Sequence, residues 1–175
     1  MGKPAAIRQA LARLAKSGKL KRIRRGFYDR PRFHPVIGQS SSSSMDVARV
    51  ILESRHAPWQ VSGSAAVSLL GLSEQVPAQL VIKTTASIPP VTLGNSQIKF
   101  QRVAPSSLIG AGTEAGTVIQ AIRHLGAGGL EPAQKERLRR SLKPRTKRDL
   151  KKLAPELPQW MQPIVKEIGA SSATP

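Results

Sequence analysis

The chain has 175 residues, of which 39% are apolar, a length and composition typical of one domain or two small ones with a modest core. It contains 28 Lys and Arg against 10 Asp and Glu, and this formal net charge of +18 favours polyanions as partners. The absence of cysteine excludes disulfides, thiolate zinc sites and cysteine nucleophiles. No apolar run approaches the roughly 20 residues that cross a bilayer. We therefore expect a cytoplasmic protein without a membrane partner.

The positive charge is concentrated near the two ends of the chain. Residues 3–32 hold 11 basic residues and one acid, and residues 135–152 hold 10 basic residues and two acids. Residues 33–134 are nearly neutral, with six basic residues and five acids. This distribution is typical of a core domain that carries polyanion-binding segments.

The first basic block is predicted to form a helix followed by a β-hairpin. Apolar residues recur at helical spacing at Ile7, Ala10, Leu11 and Leu14. Gly18 is a natural stop for this helix, and residues 19–23 and 27–28 indicate two short strands around a turn at residues 24–26. A helix followed by a basic hairpin is the second half of a winged helix-turn-helix, in which the recognition helix enters the major groove and the hairpin follows the backbone.

The predicted DNA contacts divide between this helix and the hairpin, which we call the wing (residues 19–29). On the helix, Arg8, Gln9 and Arg13 are expected to face base edges, with Lys16 beside them. The wing residues expected to contact phosphates are Lys19, Lys21, Arg22, Arg24 and Arg25. Gly26 allows the positive φ of the turn, and Phe27 and Tyr28 are expected to hold the wing to the helix, with Tyr28 also among the DNA contacts.

Two other interpretations of the first basic block stay open. A run of charges is often only a solvated surface. Alternatively, Phe27 and Tyr28 form a stacking pair for single-stranded RNA, although aromatic residues make up only 3% of the chain.

A mixed α+β domain with a small sheet is predicted for the centre of the chain. Ser40–Ser44 is interpreted as a short flexible join whose last serine caps a helix from Met45 to about His56. Two further helices, with N-caps at Ser62 and Thr113, are expected to end at Leu70 and Leu125. The predicted strands are residues 59–61, 80–82, 91–93 and 98–100, of which the last two form a hairpin.

The second basic block is predicted to form two short amphipathic helices on either side of Lys143-Pro144-Arg145. Their inward residues are Leu138, Leu142, Leu150 and Leu153. Their solvent-facing cations form a second basic patch, which consists of Lys135, Arg139, Arg140, Arg145, Lys147, Arg148, Lys151 and Lys152. The patch suits operator backbone, tRNA or an acidic face of a protein partner, and a solvated helical arm is the alternative.

The sequence does not indicate catalysis. The acids of the central region show neither the Asp-x-Asp nor the Glu-x-x-His spacing that metal catalysis requires. The three histidines are far apart in sequence, at His34, His56 and His124. We therefore expect a binding protein that is not an enzyme and needs no metal or cofactor.

Several longer segments together resemble one protein family. They are "ALARLAKSGKLKRIRRGFYDRP" (residues 10–31), "HPVIG" (34–38), "VSGSAAVSLLGLSEQVPAQLVIKTTA" (61–86) and "IKFQR" (98–102). In them the chain resembles the AbiEi-type antitoxins of type IV toxin–antitoxin systems and the related DUF6088 proteins. The likeness spans roughly residues 10–125, and its most specific part is "SGxxAxxLLGLSxQVP" followed by a strand.

This resemblance implies an N-terminal winged helix domain that binds double-stranded operator DNA and represses its own operon, with a homodimer on an inverted repeat as one arrangement. It also implies a C-terminal domain that counters a nucleotidyltransferase-like toxin encoded nearby. Such proteins usually have one or two helices before the recognition helix, which here begins close to Met1. Either the start codon is misassigned or the winged helix is partial, and we expect a partial winged helix.

The expected fold is therefore α+β with three parts. They are a partial winged helix-turn-helix over residues 1–38, an antitoxin-type core with a small sheet over residues 39–130, and a basic helical segment over residues 131–175. The function implied is that of an antitoxin and transcriptional autoregulator. The alternative is a basic DNA- or RNA-binding module that acts without a toxin.

Overall fold

The computed structural model describes residues 4–34, 38–40, 42–75, 77 and 79–170, with the backbone alone for residues 32–34 and 38–40. Within these residues the chain is an α+β protein with seven α-helices, two separate hairpins and one four-stranded mixed sheet. Among the helices described, none is long and apolar enough to span a membrane.

A helix and two hairpins form the N-terminal part. Helix α1 spans Pro4–Lys16, and Gly18 follows it with a φ of +74°. Strands β1 (Lys21–Arg24) and β2 (Phe27–Asp29) pair antiparallel, so the predicted helix and wing hairpin are both confirmed. Gly26, in the turn between them, has a φ of +84°, which a residue with a side chain adopts only with strain. The second hairpin, strands β3 (Arg32–His34) and β4 (Gly38–Ser40), was not predicted.

Helix α2 spans Ser44–Glu53 and differs from the prediction at both ends. Its N-cap is Ser43 and not Ser44, because the Ser43 hydroxyl accepts a hydrogen bond from the Asp46 amide at 3.1 Å and donates one to the Asp46 carboxylate at 2.7 Å. The helix ends at Glu53 because the next residues form a turn, in which His56 has a left-handed φ of +48°. The inner face of α2 consists of Ala48, Ile51 and Leu52, all of them fully buried.

The four-stranded sheet has the order β5-β6-β8-β7. Strand β5 (Trp59–Val61) is followed by helix α3 (Gly63–Leu69) and then by strands β6 (Gln79–Thr84), β7 (Val91–Leu93) and β8 (Ser96–Arg102). Strands β6 and β8 pair in parallel at the centre, and β5 and β7 pair antiparallel at the edges. All four predicted strands are confirmed, and β6 and β8 are the two central strands of the sheet.

Four helices follow the sheet. A 3-10 helix (Pro105–Leu108) leads to α4 (Glu114–Leu125), α5 (Pro132–Ser141), α6 (Pro144–Leu153) and α7 (Met161–Ile168), with a second 3-10 helix (Ala154–Glu156) between the last two. The Thr113 hydroxyl caps α4, as predicted, by accepting a hydrogen bond from the Gly116 amide at 3.0 Å. Proline occupies the first position of α5 and of α6, where its missing amide hydrogen costs no hydrogen bond.

A single hydrophobic cluster joins the sheet to the C-terminal helices. It includes Ile82 and Ile98 of the sheet, Ile122 of α4, Leu150 of α6 and Ile168 of α7, all of them fully buried. The leucines predicted to point inward from the second basic block are buried or half-buried. In contrast, α1 contributes no buried residue.

Candidate nucleic-acid interface

Helix α1 carries its polar side chains on the face opposite its apolar stripe. At about 3.6 residues per turn, Gln9, Arg13 and Lys16 share one face, and Arg8 lies at its border. All four residues are exposed, and none belongs to an ion pair within the part of the chain that the structure describes. The helix residues predicted to face DNA are therefore accessible together.

The apolar stripe of α1 is also accessible. Ile7 is 51% exposed and Leu14 is 38% exposed, while Leu11 is half-buried. The backbone joins α1 directly to the wing, since the Leu20 amide donates a hydrogen bond to the Leu14 carbonyl at 3.1 Å. The helix and the wing thus form one continuous basic segment.

The wing presents several cations to solvent, just before β1, within β1 and in the turn after it. Lys19, Lys21, Arg22 and Arg25 are exposed. Lys21 lies opposite Asp29 in the strand register, yet no salt bridge links them. Among the described residues, no carboxylate is paired with any of these four side chains.

Two residues predicted to contact DNA have packing roles in the structure. The Arg24 guanidinium lies 5.3 Å from the centre of the Phe27 ring, a cation–π contact, and its Nη1 is buried without a hydrogen-bond acceptor among the described residues. Tyr28 is half-buried and lines a groove between the wing and α2, together with Val47 and Val50. These two side chains are less available to a ligand than the exposed cations beside them.

The wing is attached to the α+β core. Ile23 and Phe27 pack against the buried cluster. Asp29 is 7% exposed, and its carboxylate accepts hydrogen bonds from the Ser42 amide at 3.1 Å and the Ser42 hydroxyl at 2.6 Å. The predicted join at residues 40–44 is therefore partly structured, although Ser41 lies outside the described residues.

The sequence did not indicate the contact between Asp29 and Ser42. The sequence offers one signal for this contact. Asp29 is the only acid in the first basic block, and it is followed by a run of serines whose amides and hydroxyls can donate hydrogen bonds to it. The contact has an electrostatic consequence for the interface. Because its hydrogen bonds hold the Asp29 carboxylate against Ser42, this acid forms no ion pair with a described cation of the wing.

Ion pairs divide the second basic patch. Lys135 pairs with Glu167 at 3.1 Å across α5 and α7, and Arg145 lies 3.9 Å from Asp149 within α6. Arg139 and Arg140 both bind Glu136, each at 2.7 Å. The patch residues without an ion pair among the described residues are Lys147, Arg148, Lys151 and Lys152.

These four residues belong to α6, and all except the half-buried Lys147 are exposed. Hydrogen bonds from Arg139 and Arg140 lower the pKa of the Glu136 carboxyl to about 2, which keeps it ionised over the whole neutral range. The free positive charge of the second patch is thus concentrated on α6. Thr146 fixes this helix by donating a hydrogen bond to the Glu114 carboxylate at the start of α4.

The described residues contain no group of three or more His, Cys, Asp or Glu side chains that could hold a metal ion. The candidate interface consists of exposed cations and hydrogen-bond donors. Its two parts are the α1–wing segment and the outer side of α6.

Residues 1–150 match the profile of DUF6088, a family of unknown function. The chain belongs to the DUF6088 family. The part matched to DUF6088 covers α1, the wing, the whole sheet and the helices up to most of α6, and so includes nearly all of both basic blocks. No curated protein and no solved structure is significantly similar to this DUF6088 protein.

Proposed function

We propose that this DUF6088 protein is an antitoxin and transcriptional autoregulator of a type IV toxin–antitoxin operon. In this proposal α1 and the wing form a partial winged helix that binds operator DNA, and the protein counters a nucleotidyltransferase-like toxin. The AbiEi-like motifs of the sequence support the antitoxin role, whereas the matched family, DUF6088, is of unknown function. The observation that carries the DNA-binding role is the exposed cationic surface of α1 and the wing, with which no described carboxylate forms an ion pair.

The dimensions of the segment favour a duplex. A helix of 13 residues is about 20 Å long, and the major groove, about 12 Å wide, admits an α-helix. The wing follows α1 after a short turn, so its cations can reach the phosphates beside that groove.

The aromatic residues of the wing argue against single-stranded RNA as the principal ligand. Phe27 packs against the core and lies beneath the Arg24 guanidinium. Tyr28 is half-buried in the groove next to α2. A stacking platform needs ring faces open to bases, and these two rings are already occupied by protein contacts.

The wing provides the direct test of DNA binding. We expect the double variant Arg22→Ala and Arg25→Ala to bind operator and random duplex more weakly by the same factor, since phosphate contacts carry no sequence information. Removing each phosphate contact is expected to flatten the slope of log Kd against log salt by about 0.9. Fluorescence anisotropy with labelled duplexes over a series of salt concentrations measures both quantities.

The matched control for the wing variant is Arg49→Ala. Arg49 is exposed on α2, outside the α1–wing segment, so its replacement removes surface charge without touching the interface. We expect the salt slope of this control to equal that of the wild type. A wing variant whose salt slope is also unchanged would overturn the phosphate-contact assignment.

The antitoxin role needs a separate test because it depends on the family resemblance. We expect co-expression with a neighbouring nucleotidyltransferase-like gene to restore growth that the toxin alone arrests. Absence of rescue, together with intact DNA binding, would support the second candidate, a nucleic-acid-binding module that acts without a toxin. The exposed cations of α1 and the wing favour that candidate, because they are accessible to nucleic acid without a second protein.

A further inference from the structure

Two cations from different elements lie close together beside the sheet, outside both basic blocks. Lys83 is on β6 and Arg123 is on α4. The Lys83 ammonium donates a hydrogen bond to Oε1 of Gln120 at 3.1 Å. Nε2 of Gln120 and Nη1 of Arg123 both donate to the Ser107 carbonyl oxygen, at 3.1 and 3.2 Å. The amide of Gln120 and this carbonyl thus fix both cations.

Holding Lys83 and Arg123 close together in half-buried positions without an anion costs free energy. Both side chains are half-buried, and Gln120 between them is only 1% exposed. Burial and, secondarily, the charge of Arg123 lower the pKa of the Lys83 ammonium, so each acts against the charged form. Neither cation has an ion pair within the described part of the chain.

Gln60, the neighbouring polar residue, does not relieve the repulsion between Lys83 and Arg123. Gln60 of β5 lies opposite Lys83 in the strand register. Its side-chain amide instead donates to the Thr117 hydroxyl at 2.7 Å, and its side-chain oxygen accepts from the Gly112 amide at 2.9 Å. Gln60 therefore uses its hydrogen bonds to hold α4 to the sheet.

The two cations retain most of their hydrogen-bond donors. An ammonium has three donors and a guanidinium has five, and each group uses one donor here in a side-chain hydrogen bond. Two adjacent positive charges with free donors match a dianion that has several acceptor oxygens. A phosphate monoester has this chemistry, whereas a carboxylate has only one charge and two oxygens.

We propose that Lys83 and Arg123 form a binding site for a phosphate group, either free or as a monoester. Gln120 and the Ser107 carbonyl hold the two cations in position for it. The site takes inorganic phosphate or the terminal phosphate of a small phosphorylated ligand. It is independent of operator binding, because none of its residues belongs to α1, the wing or the second basic patch.

Isothermal titration calorimetry on the full chain tests the site, with inorganic phosphate, adenosine 5′-monophosphate and uncharged adenosine as titrants in a low-salt, phosphate-free buffer. We expect both phosphates to bind and adenosine not to bind. Equal affinities for inorganic phosphate and adenosine 5′-monophosphate would show that the phosphate group alone accounts for binding. Tighter binding of adenosine 5′-monophosphate would show that the site prefers an esterified phosphate. Failure of both phosphates to bind would overturn the proposal.

The variants Lys83→Gln and Arg123→Gln are each expected to weaken phosphate binding by at least about tenfold, since each removes charged donors. Arg49→Gln removes one exposed charge elsewhere and is expected to leave the affinity unchanged. Equal losses in all three variants would show a response to net charge alone and would overturn the site.

A second measurement does not depend on the folding of the variants. Selective ¹³C labelling of lysine gives the pKa of the Lys83 ammonium in the wild type by NMR titration. We expect bound phosphate to raise this pKa, because an anion favours the charged form. A Lys83 pKa that is the same with and without saturating phosphate would contradict the proposed site.

Discussion

Individual residues of the α1–wing segment divide into two groups with different surroundings. Arg22 and Arg25 are exposed and unpaired among the described residues, whereas Arg24 stacks on Phe27. On α1, Gln9 and Arg13 are one helical turn apart on the exposed face. An amide and a guanidinium at this spacing are suited to hydrogen-bonding base edges in the major groove.

The base-reading role proposed for α1 predicts that substitutions there reduce the specificity of DNA binding. We expect Gln9→Ala and Arg13→Ala each to reduce the preference for operator over random duplex by about 1–3 kcal/mol, because a good base contact discriminates by that amount. Competition binding with both DNAs at one salt concentration measures the preference. Equal losses on operator and random DNA would instead make these residues phosphate contacts.

Glu136 predicts a pH dependence of stability. The pKa of its carboxyl is lowered from the ordinary 4.5 to about 2 in the folded chain. Its ion pairs therefore stabilise the fold above pH 4.5, and this stabilisation is lost as the pH falls towards 2. We expect the stability difference between the wild type and Glu136→Gln to shrink over this interval, measured by urea unfolding. Glu53→Gln, which removes an exposed carboxyl of α2 without a described ion pair, is the control, and an equal pH trend in both variants would contradict the assignment.

Among the elements, α1 differs from α2 although both are amphipathic. The apolar face of α2 supplies three buried residues, whereas α1 supplies none. The same sequence pattern thus has two structural outcomes, because burial depends on what lies opposite the stripe. The wing lies between these cases, since Ile23 and Phe27 attach it to the core.

This difference predicts that substitution to glutamine has a small effect on stability in α1 and a large effect in α2. We expect Ile7→Gln with Leu14→Gln to change the free energy of unfolding by less than about 0.5 kcal/mol, as for surface substitutions in general. Ile51→Gln, at a fully buried position of α2, is expected to cost more than about 3 kcal/mol because it buries an amide in the core. Urea unfolding measures both values, and a large loss from the α1 variant would show that its stripe is covered in solution.

The sequence predicted most elements because their signals are local. Alternation and helical spacing located the strands and the inward faces, and Gly18 and Gly26 marked turns at which the structure has positive φ. The contacts of Asp29 with Ser42 and of Lys83 with Gln120 join residues 13 and 37 positions apart. No local pattern encodes such contacts, because they depend on how the strands and helices are arranged in space.

For the whole molecule, the sheet and the C-terminal helices depend on a shared core. Leu150 of α6 is fully buried in the cluster that also contains Ile82 and Ile98 of the sheet. The free cations of α6 are therefore carried by a helix that is packed into the core on its other side. Repulsion within the strongly positive chain is opposed by this burial.

The shared core predicts a global effect from a single substitution in the second basic block. We expect Leu150→Ala to lower the free energy of unfolding by about 2–5 kcal/mol in one cooperative transition. Leu69→Ala makes the same change on α3 at a position that is 60% exposed, and its cost is expected to be much smaller. Circular dichroism of both variants in urea compares them, and equal costs would contradict the packing of α6.

The absence of buried residues in α1 has a consequence for divergence within the family. Substitutions on a helix that contributes no buried residue are expected to change the free energy of unfolding little, so selection acts on them chiefly through binding. If α1 reads the operator, related proteins can acquire new target sequences while retaining the same sheet and the same helices behind it.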